Sequence, residues 1–240
     1  MELENKIYLG DSLELMKSIS DKSIDLIMTD IPYLYLEKRP SKKSCLYNDV
    51  IKVREELSDC DIDNGIPITW LDEACRIMKK INIYIWMSKF QIPEYLNYFI
   101  AKGASYEFLV WIKPDAMPLH NCKYNSDKEY CLYFRKGAYC QPKDNYYART
   151  YFLKNRNFED KQTYGHPTPK PVGVTKILIE NSTHEGDLVF DPFIGSGTTA
   201  VAAYQTKRKY LGIEKNETFY KTTIKRLEDE KKHLDLPLTF

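Results

Sequence analysis

The stretch "LVFDPFIGSGTTAVAAYQ", residues 188–205, decides the fold. Leu188, Val189 and Phe190 form an apolar run that ends in Asp191. The turn Gly195-Ser196-Gly197 follows, and Thr198 opens an alanine-rich segment reaching Gln205. A short apolar run, a glycine turn and a helix start are together one strand–turn–helix unit of a largely parallel sheet. Glycine lets the backbone turn tightly and approach a ligand, and a helix N-terminus presents unpaired N–H groups to polar ligand atoms. The next apolar run, Tyr210 to Ile213, ends in Glu214, which lies 214 − 195 = 19 residues past the first glycine. An acid about 20 residues beyond such a turn, at the end of the next strand, can hold both hydroxyls of a ribose.

The turn and Glu214 together imply an adenosine-type ligand. No lysine follows Gly197, so the turn is not a P-loop for ATP. Ala200 stands where a dinucleotide-binding fingerprint would carry its third glycine. A ligand without a pyrophosphate needs fewer glycines, and S-adenosylmethionine fits that description.

The same alternation runs along most of the chain. Ile7 to Leu9, Ile24 to Thr29 and Asn82 to Met87 read as strands; Thr69 to Lys80 and Pro93 to Lys102 read as helices, the latter stopped by Gly103. A helix carrying Leu13, Met16 and Ile19 follows Gly10-Asp11, and Pro171 to Glu180 and the charged segment from Glu217 are also helical. Phe108 to Trp111 and Glu129 to Phe134 have no helical segment between them, so they are expected to pair antiparallel. Two stretches break the rhythm, 34–67 and about 116–165, and loops of that length in a compact domain are usually functional or disordered. The expectation is one αβ domain over 1–240 with these two insertions.

At 240 residues, 43% hydrophobic and 29% charged, the composition is that of an ordinary globular protein. No apolar run approaches the roughly 20 residues that cross a bilayer. The segment "MELENKIYLG" lacks a basic and apolar leader, which predicts a cytoplasmic protein. The cysteines Cys45, Cys60, Cys75, Cys122, Cys131 and Cys140 form no Cys-x-x-Cys pair, so free thiols and no metal are expected. A formal charge of +1 leaves nucleic-acid binding to local patches.

The segment "DLIMTDIPYLYL", residues 25–36, then takes on meaning: a buried run ends in Asp30 and continues Ile31-Pro32-Tyr33. "DPFIGSGTT" resembles the cofactor motif of amino-group DNA methyltransferases, and Asp30 to Tyr33 resembles their catalytic [Asp/Asn/Ser]-Pro-Pro-[Tyr/Phe/Trp] tetrapeptide. "HPTPKP", residues 166–171, resembles the His-Pro-Thr-x-Lys-Pro that often precedes the cofactor motif. "YLGDSLELMKSISDKSIDLIMTD", "YLGIEKNETFY" and "WIKPDAMP" are similar to that family too, and only the two long loops fall outside the resemblance. The order, catalytic motif first, is that of the circularly permuted β group.

The resemblance implies a Rossmann-like fold with a mostly parallel seven-stranded sheet in the order 3-2-1-4-5-7-6, strand 7 antiparallel and helices on both faces. It also implies methyl transfer from S-adenosylmethionine to adenine N6 of a base flipped out of double-stranded DNA, as in restriction–modification. That amine's lone pair is delocalised into the ring. A carboxylate and a backbone carbonyl accepting its two N–H groups would favour a tetrahedral nitrogen and stabilise the charge developing on it. By resemblance Asp30 and the Ile31 carbonyl fill these roles, Pro32 stiffens the turn, and Tyr33 stacks on the flipped base. For the cofactor it implies Asp11 at the adenine, Glu214 at the ribose and the turn Gly195, Ser196, Gly197 and Thr198 at the methionine part. Asp191, Phe193, Asp30, Thr168 and Lys170 complete that set. Asp11 also fits a plain helix cap, and Lys170 a solvated lysine at a helix start.

Ile31 departs from the family's second proline; its carbonyl survives the change, but the turn loses rigidity. Lys38, Arg39, Lys42 and Lys43 follow the tetrapeptide, and Lys143, Arg149, Lys154 and Arg156 are interleaved with aromatics, which suits DNA phosphates and bases. A homodimer is a further expectation from the resemblance. Cytosine-N4 transfer, with the same fold and a different amine, is the nearest alternative; its β-group enzymes usually begin the tetrapeptide with serine, so Asp30 favours adenine. A catalytically weak DNA-binding subunit is the remaining one.

Overall fold

The structure is a computed structural model that describes residues 1–34, 65–116, 124–164 and 169–235. One sheet of eight strands organises it: β1 (Lys6–Leu9), β2 (Leu26–Asp30), β3 (Ile81–Met87), β4 (Ser105–Ile112), β5 (Lys128–Lys136), β6 (Tyr151–Leu153), β7 (Leu188–Asp191) and β8 (Lys209–Glu214). Their order is β1-β8-β7-β2-β3-β5-β4-β6, with β5 alone antiparallel to its neighbours. The first seven reproduce the expected 3-2-1-4-5-7-6. The eighth, β6, adds a parallel edge beside β4 through the pairs Val110–Tyr151 to Ile112–Leu153. It comes from the segment 116–165, read from sequence as a loop with a single strand. Three residues are too few for a period-2 signal to stand out.

The helices are α1 (Ser12–Met16), α2 (Trp70–Ile77), α3 (Ile92–Ala101), α4 (Phe158–Tyr164), α5 (Val172–Ser182), α6 (Thr198–Gln205) and α7 (Glu217–Asp235). The central strands are buried at nearly every position and mostly apolar, because both faces are covered. Leu26, Met28, Tyr84, Trp86 and Val189 pack with residues of α5, α6 and α7. Ile27, Ile83, Ile85, Phe190 and Ile213 point the other way, to Met16 of α1, Trp70 and Ala74 of α2 and Phe99 of α3. Helix α1 is shorter than expected, yet Ile19 beyond it is 1% exposed and still joins that second core.

The chain leaves β7 toward β8 on one side, and β2 pairs with β7 on the other. This reversal of strand order opens a crevice at the strands' carboxyl ends. Among the described residues no helix is long and apolar enough to cross a membrane.

Candidate active site

The crevice holds a cavity of about 510 Å³ whose lining includes Asp30 to Tyr33 at the end of β2 and Asp191 to Ser196 after β7. Asp11 and Glu214 line it as well, so the two motifs far apart in sequence share one site.

The glycine turn is fixed from beneath. Gly197 caps α6 with φ 83°, the left-handed region, and a Cβ there would stand 2.8 Å from Thr223 Cγ2 of α7. Thr223 Oγ1 donates to the Gly195 carbonyl at 2.6 Å, and the buried Arg226 guanidinium reaches Ser196 O at 3.1 Å and Thr198 Oγ1 at 3.3 Å. Glu214 accepts the Gly195 N–H on Oε2 and the Asn216 N–H on Oε1, both at 2.8 Å. Burial raises its pKa and these N–H groups oppose the rise. A carboxylate has more acceptor positions than these N–H groups fill, so it can still accept a ligand hydroxyl.

Asp191 is 3% exposed and ties three elements together. Oδ1 accepts Thr29 Oγ1 at 2.7 Å and the Phe193 N–H at 3.0 Å, and Oδ2 accepts Thr199 Oγ1 at 2.7 Å. Burial pushes its pKa up to about 7 against those donors. Its contacts within the chain are those of a brace between β7, β2 and α6. Phe193 packs edge-on against Trp70, with ring centroids 5.6 Å apart. Asp11 Oδ1 accepts the N–H groups of Leu13 at 2.9 Å and Glu14 at 3.4 Å, the helix-cap geometry, while the residue also lines the cavity.

The segment after β2 is held on both sides. Ile31 N–H donates to the Trp86 carbonyl at 3.2 Å, and the Ile31 side chain is 2% exposed. Buried Gln91 donates from Nε2 to the Pro32 carbonyl at 3.0 Å, and its Oε1 accepts the N–H groups of Leu34 at 3.2 Å and Ser88 at 3.1 Å. Gln91 and Ser88 escaped sequence reading because neither belongs to a motif.

Asp30 meets a cluster of buried charges. Lys170 Nζ lies in close contact with Asp30 Oδ2 and 3.1 Å from Glu129 Oε2. Glu129 Oε1 takes Lys113 Nζ at 3.0 Å, and the Tyr33 hydroxyl donates to Oε2 at 3.3 Å. Lys170 also lies 5.4 Å from the Tyr33 ring centroid. Asp30 Oδ1 is buried without a hydrogen-bond partner among the described residues. Burial raises the Asp30 pKa, and Lys170 opposes that rise. Burial also pushes Glu129 upward, but Lys170 and Lys113 outweigh it and hold its pKa at about 2. Lys170 is raised overall, because Asp30 and Glu129 overcome the effect of its burial. Far from a solvated lysine, it is a buried ion-pair partner; Pro169 and Pro171 fix the chain on either side of it.

Other candidates scatter. Thr168, Lys38, Arg39, Lys42 and Lys43 lie outside the described residues. Lys154 and Arg156 follow β6, on the same rim of the sheet as the cavity. The Arg156 guanidinium is bound to Asp115, with Nε 3.3 Å from Oδ2 and Nη2 2.7 Å from the carbonyl. Arg149 precedes β6 and lies over Tyr146. Lys143 lies 3.9 Å from Glu180, near the C-terminal end of α5. That end packs on Asn82 at the start of β3, so Lys143 sits away from the cavity rim. Among the described residues no cluster of side chains could hold a metal ion.

Comparison with known proteins finds relatives in sequence and in fold. A Type II methyltransferase, M2.MboI of Moraxella bovis, is 28% identical over 243 residues, covering 93% of this chain and 87% of that protein. M2.DpnII of Streptococcus pneumoniae is 26% identical, covering 95% and 91%. Among solved structures, the M1.HpyAVI–SAM complex superposes with a TM-score of 0.68 at 24% identity, over 92% of this chain and 98% of that one. The cytosine-N4-specific PvuII DNA methyltransferase does so at 0.67 and 19% identity, over 97% and 90%. The sequence model of the N6_N4_Mtase family, described as DNA methylase, matches residues 24–225, and the chain belongs to that DNA methylase family.

Proposed function

We propose that this protein transfers a methyl group from S-adenosylmethionine to adenine N6 of a base flipped out of double-stranded DNA, as a β-group enzyme. One observation carries the reading: Asp30 Oδ1 is a buried acceptor without a partner among the described residues, in the same cavity as the glycine turn and Glu214. S-adenosylmethionine supplies an electrophilic methyl group on a sulfonium. The residues fit it. Of the cavity's described residues only Lys170 and Lys215 are basic, while Asp11, Asp30 and Glu214 offer carboxylates suited to an ammonium and to ribose hydroxyls. Glu214 would hold the ribose, Asp11 the adenine end, and Phe193 and the Gly195 to Thr198 turn the remainder. Lys170 borders the same space.

The chain's own residues then act on the target amine. Asp30 Oδ1 accepts one of its N–H groups and the Ile31 carbonyl the other, which localises the nitrogen lone pair and stabilises the charge that develops. The Tyr33 ring offers the flipped base a stacking surface. Lys154 and Arg156, on the same rim of the sheet as the cavity, would meet phosphates, and the basic run Lys38 to Lys43 in the sequence carries further charge suited to them. A carboxylate in first position, where cytosine-N4 relatives usually carry serine, favours adenine.

The test is transfer of labelled methyl to DNA with identification of the product nucleoside, beside Asp30→Ala. N6-methyladenine that disappears in the variant is the expected result. N4-methylcytosine as product, or no transfer, would overturn it.

A further inference from the structure

Glu129 is the second residue of β5, a strand that runs against its neighbours, which places it at the same end of the sheet as Asp30. Its side chain is 12% exposed, and it faces two ammonium groups and one hydroxyl: Lys113, Lys170 and Tyr33. Lys170, 6% exposed, therefore bridges two carboxylates, Asp30 Oδ2 and Glu129 Oε2. Lys113 supplies the second positive charge, so two carboxylates and two ammonium groups sum to zero in a site where an unbalanced charge is costly.

We propose that Glu129 is a positioning residue for methyl transfer: it draws Lys170 onto the far oxygen of Asp30 and orients Tyr33, leaving Asp30 Oδ1 to the target amine. The inference rests on the reading of Asp30 as acceptor for that amine. An ammonium shared between two carboxylates neutralises each less than one held by a single carboxylate. Asp30 then keeps its strength as an acceptor, which an exclusive ion pair would blunt. Tyr33 sits two residues beyond Ile31, so the Glu129–hydroxyl bond fixes the ring on the same short segment that carries the two acceptors. A carboxylate that served only to balance buried charge would need the ammonium contacts but not the Tyr33 hydroxyl.

Glu129→Gln alone leaves two ammonium groups against one carboxylate and is expected to fold poorly. The decisive variant is Glu129→Gln with Lys113→Met, which keeps a balanced Asp30–Lys170 pair. It should match the wild type in melting temperature and bind S-adenosylmethionine within about threefold by calorimetry. Its kcat for DNA methylation should fall by about tenfold or more, the scale of a misplaced catalytic group. Its KM for DNA should rise as Tyr33 loses its anchor. The acid limb of its pH–rate profile should move to lower pH, because Lys170 then belongs to Asp30 alone. A double variant with wild-type kcat and an unmoved acid limb would overturn the inference and leave Glu129 a charge balancer. A wild-type protein that transfers no methyl to DNA would overturn the reading of Asp30 itself, and this inference with it.

Discussion

The backbone N–H of Ile31 donates to the carbonyl of Trp86 at 3.2 Å, beyond Asp30, the last residue of β2 paired with β3. Proline has no N–H to give, so a proline at this position could not make this bond. Isoleucine replaces the stiffness of a ring with one more rung of the ladder and a side chain 2% exposed in the α1–α2 core.

Ile31→Pro therefore exchanges one restraint for another. It should lose about 1 kcal/mol with the hydrogen bond and about 1–2 kcal/mol of apolar burial, read as a lower urea midpoint. Methyl transfer should survive within about tenfold, because the acceptor proposed at this position is a carbonyl that proline also has. A folded variant whose transfer rate drops far beyond that would show that the Ile31 N–H positions the acceptors.

Gln91 is the second restraint on the same segment, and it is testable separately. Gln91→Leu keeps the approximate volume but strips partners from the Pro32 carbonyl and from the N–H groups of Leu34 and Ser88. Leaving buried polar groups unpaired costs about 1–3 kcal/mol. A tetrapeptide freed by even 1 Å should lose on the order of 10²-fold in rate. Single-turnover transfer rates beside urea unfolding would separate the two effects, and an unchanged rate in a destabilised variant would assign Gln91 to folding alone.

The parts of the site legible in sequence are those where a strand ends in an acid. Asp30, Asp191 and Glu214 each close an apolar run, and in parallel strands all such ends lie together. Glu129 carried the opposite signal, an acid at the beginning of its run. It reaches the same rim only because β5 reverses direction, a fact of topology that no local pattern contains. Lys170 was legible as a motif residue but not as a buried ion, since burial depends on what β5 and β2 bring to it. β6 and the Asp115–Arg156 pair stayed hidden for another reason: three residues of edge strand and a pair 41 residues apart leave no periodic trace.

Gly197 makes the cofactor turn depend on α7. An alanine there must hold φ near 83°, at a cost of about 1–2 kcal/mol. Its Cβ would also press on Thr223 Cγ2. Gly197→Ala should unfold at lower urea and bind S-adenosylmethionine more weakly. Adding Thr223→Ser removes the methyl group but keeps the hydroxyl that bonds Gly195, so part of both losses should return. Recovery of nothing would place the whole cost in the backbone.

Asp191 gives the protein a predictable pH response. Its pKa rises from 3.8 to about 7 on folding, so the folded state holds the proton more tightly than the unfolded chain. The stability this contributes is complete below about pH 4 and is lost as pH climbs through about 7. The rise to about 7 sets the scale of this contribution at roughly 4 kcal/mol. Glu129 works in the other direction, but its pKa of about 2 puts its window below pH 5. Asp191→Asn should be tolerated, because Thr199 can accept from the amide and turn its own hydrogen toward the Met28 carbonyl at 3.3 Å. Wild-type stability should accordingly fall relative to Asp191→Asn between about pH 4 and 7 and level off above, measured by urea unfolding at each pH. A difference that stays flat across that range would mean that the hydroxyls of Thr29 and Thr199 and the N–H of Phe193 hold Asp191 ionised throughout.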